Sequence, residues 1–116
     1  MKLEVGMYVR YKPLLSSKYV KINKIKEIEE KENCLHIWLE DKDLITEKYL
    51  IKASYNIIDI LKKGDYVNGH RVEEIDFENE EIFTDSEYYC GVVEFCNIKS
   101  VITHEQMEQM EYKVGE

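Results

Sequence analysis

Leu61-Lys62-Lys63-Gly64-Asp65-Tyr66-Val67-Asn68-Gly69-His70-Arg71-Val72-Glu73-Glu74-Ile75 reads as a short strand, a glycine turn and a second, alternating strand. It also repeats an earlier part of the chain. Gly64-Asp65-Tyr66-Val67 echoes Gly6-Met7-Tyr8-Val9, and Val72 with Ile75 echoes Ile25 with Ile28. The opening pairs lie 58 residues apart, whereas Ile25-Lys26-Glu27-Ile28 and Ile51-Lys52 fall on Val72-Glu73-Glu74-Ile75 and Ile98-Lys99 at a shift of 47. The 11-residue difference falls at the loop around Pro13, where a longer first hairpin absorbs it. A duplicated architecture follows, divided near residue 61.

Working outward, Glu4 to Lys12 alternates as a strand stopped by Pro13, the only proline. Tyr19 to Glu29 mixes two spacings, and its β-branched residues with no preceding cap favour a long, bent strand. A charged turn, Glu30 to Asn33, leads to a strand Cys34–Leu39; Leu44 to Ile51 is the next, and Ile57 to Leu61 closes the first unit. The second unit repeats this order with Asp65–Val67, Arg71–Phe77, Glu81–Thr84 and Val92–Ile98. Thr103-His104-Glu105-Gln106 matches a capping box, in which the Thr hydroxyl and the Gln side chain each satisfy a backbone donor at a helix start. A short helix over 104–109 should follow, with Tyr112 to Val114 returning as a last strand. The expected fold is therefore all-β, two tandem small SH3-like β-barrels over residues 1–61 and 62–116 with a short C-terminal helix. Its core candidates are Ile25, Ile28, Leu35, Ile37, Trp38, Val72, Ile75, Ile82, Val93 and Phe95.

The stretch from Ile51-Lys52-Ala53-Ser54 through Asn56-Ile57-Ile58-Asp59-Ile60-Leu61 to Gly64-Asp65-Tyr66-Val67-Asn68-Gly69, with Ile98-Lys99-Ser100-Val101-Ile102-Thr103-His104-Glu105-Gln106, resembles small uncharacterised proteins encoded by phages and prophages of Gram-positive bacteria. The resemblance implies an intracellular accessory protein of the kind used against host defences. It brings no catalytic or binding residue with it.

Charge is divided unevenly. The chain carries a net −8, yet Met1 to Lys62 holds 12 Lys/Arg against 10 Asp/Glu, and Lys63 to Glu116 holds 4 against 14. A net acidic chain is a poor general nucleic-acid binder, because phosphate affinity comes largely from cationic side chains. Eight acids without a base, Glu73, Glu74, Asp76, Glu78, Glu80, Glu81, Asp85 and Glu87, could occupy a basic site on a host protein, using long-range attraction to speed docking. Tyr88 and Tyr89, before Cys90-Gly91, add aromatic anchors at a turn. The acids also read as an ordinary solvated face, and the tyrosines as a cap on the barrel.

Arg10, Tyr11, Lys12, Lys18, Tyr19 and Lys21, continuing to Lys24 and Lys26, form the alternative site: a basic, aromatic hairpin able to grip a phosphate backbone and stack on bases. A solvated edge hairpin explains the same lysines. Pairing of this hairpin with the acidic face of another copy would give head-to-tail association, a homo-oligomer.

Catalysis is not expected. No phosphate-binding loop, nucleophile elbow or His-Glu-x-x-His pair is present, and His36, His70 and His104 have no ligand spacing, so neither metal nor cofactor is expected. Cys34, Cys90 and Cys96 cannot all pair within one chain, which favours a reducing cytoplasm, with Cys90 and Cys96 packed as buried thiols. No apolar run approaches the roughly 18 residues of a membrane span, and Met1 to Val5 lacks a signal-peptide core.

Overall fold

A computed structural model describes residues 2–13 and 20–110. The chain divides into two compact units, Met1–Ile60 and Leu61–Glu116. The first contains β1 (Tyr8–Tyr11), β2 (Lys21–Lys31), β3 (Cys34–Leu39), β4 (Leu44–Ile45) and β5 (Leu50–Ser54). The second contains β6 (Tyr66–Val67), β7 (His70–Asp76), β8 (Glu81–Thr84), β9 (Val92–Glu94), β10 (Val101–Ile102) and the helix α1 (His104–Met110). Each unit is a five-stranded antiparallel sheet, in the orders β4-β3-β2-β1-β5 and β9-β8-β7-β6-β10. The two orders are the same, and both are SH3-like. A 3₁₀ turn separates the fourth strand from the fifth in each, at Glu47–Tyr49 and at Phe95–Asn97. Among the described residues no ladder joins β4 to β5 or β9 to β10.

Backbone hydrogen bonding repeats residue by residue. Gly6 N–H donates to Ile25 O and Ile25 N–H to Met7 O, at 3.0 and 2.8 Å; Gly64 N–H donates to Val72 O and Val72 N–H to Asp65 O, at 3.0 and 2.7 Å. Gly6 and Gly64 adopt φ of 95° and 94°, a left-handed conformation that glycine reaches without a side-chain penalty. The following side chain then accepts the N–H three residues back: Met7 Sδ from Glu4 at 3.2 Å, and Asp65 Oδ2 from Lys62 at 2.9 Å. Register shifts, one extra residue on the longer strand, fall at Ile25/Glu27 in β2 and Val72/Glu74 in β7. The excess length of the first unit sits in its first hairpin. There Val9 pairs with Asn23, whereas in the second unit Val67 pairs with His70 across Asn68-Gly69, whose φ of 52° and 85° suit a two-residue turn.

The first core is built from Met7, Val9, Tyr11, Ile25, Ile37, Leu39, Ile45 and Ala53, with Ile28 packed against it. In the second unit Val67, Val72 and Ile82 are buried. Leu35, Ile75, Val93 and Phe95 are half-buried, Phe95 meeting the exposed Phe77 edge to face at 6.3 Å.

Trp38 is a correction: it is 37% exposed, because alternation along β3 turns Ile37 and Leu39 inward and so directs Trp38 outward. The three cysteines are likewise exposed and free, not buried thiols. Ile57 to Leu61 is not a strand either. Asn56 accepts the Ile58 N–H on its side chain and caps a 3₁₀ turn, Ile57–Asp59, that still buries Ile58 and Ile60. The strands expected over Leu44–Ile51 and Val92–Ile98 are also shorter, each giving way to its 3₁₀ turn, here without a side-chain cap. The capping box is present in full. Thr103 Oγ1 accepts from Gln106 N and Gln106 Oε1 from Thr103 N, at 3.0 and 3.1 Å. The strand expected at Tyr112 to Val114 lies outside the described residues.

Candidate protein-binding face

Three strands of the second unit carry the acids. Across β7, β8 and β9 the register aligns Asp76 with Glu81 and Glu81 with Glu94; one step away it aligns Ile75, Ile82 and Val93; a further step aligns Glu74, Phe83 and Val92. Residues directly opposite one another share a face, and successive rows alternate. Ile82 is fully buried, so its row faces inward. The rows Asp76–Glu81–Glu94 and Glu74–Phe83–Val92 therefore share the outer face.

Like charges directly opposite each other on a sheet are unfavourable. Here three carboxylates stand in one row, and none has an ion-pair partner among the described residues. Asp76 is held by the side chain and backbone N–H of Asn79, which lower its pKa and keep it ionised. Glu73, Glu78 and Glu80 are exposed around this row, Glu73 at the bulge and the other two in the β7–β8 turn. A groove of ≈ 580 Å³ runs alongside, lined by Asn68, Glu81, Val92, Val93, Glu94 and Asn97.

Tyr88 stands on a 3₁₀ turn, Tyr88–Gly91, and is 76% exposed. The turn is tied down from both ends. Thr84 Oγ1 donates to Gly91 O at 2.9 Å, and Tyr88 N–H donates to Ser86 Oγ at 3.1 Å. The side chain of Tyr89 lies outside the described residues. Phe83, Val92 and Glu94 were not among the sequence candidates. Glu94 is distant in sequence from the acidic run and joins it only through the β8–β9 register.

The basic hairpin is arranged differently. Arg10 is buried and donates through Nη1 to Ile60 O at 3.2 Å. Tyr11 is also buried, and its hydroxyl donates to Asp43 Oδ2 at 2.6 Å. Lys21 Nζ lies 2.5 Å from Asp41 and 2.9 Å from Asp43. All three side chains are engaged by other groups of the chain and do not form an open phosphate-binding surface. Lys12 is half-buried, and Lys18 and Tyr19 lie outside the described residues.

The Tyr11–Lys21–Asp41–Asp43 cluster gives the first unit a defined pH response. Burial would raise the Asp41 pKa, but hydrogen bonds from Lys21 and from the Asp43 backbone outweigh it and bring it below 3.8. Its contribution is complete above that value and is lost as the pH falls through the lower, folded one. Burial, then the bond to Asp43, pushes the Tyr11 phenol up from 10.0. For Lys21 burial acts downward, and its bonds to Asp41 and Asp43 overcome this to raise it from 10.5. Both of these contributions are complete below the ordinary values and disappear as the pH rises past them. The stability advantage of the wild type over Asp41→Asn should be at most about 1 kcal/mol at pH 6, since the pair is partly solvated. Urea midpoints of the two proteins should converge as the pH falls through the lowered carboxyl value, and a gap unchanged by acid would exclude the assignment.

Among the described residues no cluster of His, Cys, Asp or Glu could hold a metal ion, and no helix is long and apolar enough to cross a membrane. No family model, curated protein or solved structure matches the chain.

Proposed function

We propose that the chain is a non-catalytic, protein-binding accessory module whose second unit captures a basic surface of a partner on the outer face of β7, β8 and β9. One observation carries this reading: the uncompensated row Asp76–Glu81–Glu94 lies beside the apolar Phe83 and Val92. A row of like charges costs stability in the free protein and is relieved by a cationic partner, while the adjoining apolar groups supply area to bury. Such fields act chiefly on encounter rate and partner choice. Tyr88, held out by its anchored turn, extends the face with an aromatic contact. The resemblance of the second half to phage-encoded accessory proteins supports taking the partner as a cytoplasmic protein of a bacterial host, which the module blocks or redirects.

The test compares wild type with the double variant Glu81→Lys, Glu94→Lys. A host protein retained by the tagged wild-type chain should be lost from the variant, and its association rate at low salt should fall about tenfold. Equal retention and an equal on-rate would remove the acidic face from the interaction.

A further inference from the structure

The outer face of the first unit carries a smaller version of the same surface. Trp38 on β3 is opposed by Glu27 on β2 and by Leu44 on β4. Trp38 and Leu44 are 37% and 44% exposed, so an indole and a butyl side chain lie side by side in solvent. Glu27 is exposed and has no ion-pair partner among the described residues, since Lys31 pairs with Glu29 and Lys24 lies over the Tyr8 ring.

The equivalent row of the second unit is Glu74–Phe83–Val92: a glutamate, an aromatic and an aliphatic residue, placed just after the same register shift. Recurrence of inward residues would follow from the need to fill a core. These positions point outward, where core packing does not dictate residue type, and both rows leave a carboxylate beside exposed or half-exposed apolar groups.

We propose that the Glu27–Trp38–Leu44 row is a second docking site, which takes an arginine side chain of an extended basic segment from the same class of partner. A guanidinium is planar and weakly hydrated; it stacks on an indole face while its N–H fork pairs with a carboxylate. Leu44 then receives the aliphatic stem. The module is thus two-site, with a strongly acidic platform on the second unit and an aromatic one on the first. This rests on the reading of the second unit as a receptor for basic protein surfaces, and the experiment separates the two.

Trp38 is the only tryptophan, so its emission reports the first unit alone. The probe is the peptide acetyl-Gly-Arg-Gly-Arg-Gly-amide, titrated into the full chain by fluorescence and by calorimetry. The expected result is a saturable change in Trp38 emission and two peptides bound per chain. Glu27→Gln should weaken the fluorescence-detected site about fivefold. Glu81→Gln with Glu94→Gln should reduce the stoichiometry to one and leave the Trp38 titration unchanged. Unaltered emission with a stoichiometry of one overturns the second site and leaves the acidic face standing. A saturable Trp38 response with no effect of Glu81→Gln and Glu94→Gln does the reverse. Insensitivity of the response to Glu27→Gln, or an equal response to a peptide with glutamine in place of arginine, also overturns the proposal. So does emission that changes with protein concentration alone and a dimer dissolved by Trp38→Ala, because the occupant is then a second copy.

Discussion

Gly91→Ala is expected to destabilise the second unit by about 3 kcal/mol, combining a left-handed backbone with a close approach that admits no side chain. Gly91 has φ of 74°, and a Cβ there would meet Thr84 O at 2.2 Å and Ser86 O at 3.2 Å. Both obstacles are backbone atoms. Thr84 is in β8 and holds the turn through its own bond to Gly91 O, so the chain cannot move aside without losing that bond. Gly69 provides the comparison, for its φ is 85° but nothing lies within 4 Å of the position of its Cβ. Gly69→Ala should therefore cost only about 1 kcal/mol, the conformational part alone. Urea unfolding of the two variants checks this directly, and equal losses would refute the close-approach argument. Since the turn also displays Tyr88, the Gly91→Ala protein should bind the proposed basic partner less tightly even below the unfolding transition.

Asp65→Ala should cost a similar amount, about 3 kcal/mol, by stranding two backbone donors. Asp65 is fully buried; one carboxylate oxygen accepts from Lys62 N–H at 2.9 Å and the other from His104 N–H at 3.1 Å. The second bond ties the glycine turn to the first residue of α1. Seven residues are too few for a helix to persist without tertiary support, so amide exchange across His104–Met110 should accelerate along with the global loss. The first unit offers a built-in contrast. Met7 occupies the same place, but its thioether is a weak acceptor. Met7→Leu keeps the volume and should cost less than about 1.5 kcal/mol. Comparable losses at both positions would show that packing, not the carboxylate, sets the Asp65 effect.

What could be read directly from the chain were features set by neighbours a few residues away. The capping box at Thr103 and Gln106, the tight turn at Asn68-Gly69 and the strand Cys34–Leu39 depend on spacings of two to four residues, and each is present as expected. The two shifts, 58 at the opening glycines and 47 along the bent strand, were legible for the same reason. They reappear as matching hydrogen bonds at Gly6 and Gly64 and matching register shifts at Ile25 and Val72. Short side chains that hydrogen-bond the backbone were underweighted: Asn56 turned an apolar run, Ile57 to Leu61, into a 3₁₀ turn.

The tertiary structure alone decided which side chains meet across strands. Glu94 enters the acidic row, Lys21 and Tyr11 are taken up by Asp41 and Asp43, Asp65 reaches α1, and Trp38 faces solvent. Each outcome depends on pairing register and loop length. A slip of one residue turns a whole strand over, and no local propensity encodes that choice. Composition and local spacing determined that this chain folds into two repeated five-stranded units; register determined which of its charges and aromatic rings face solvent.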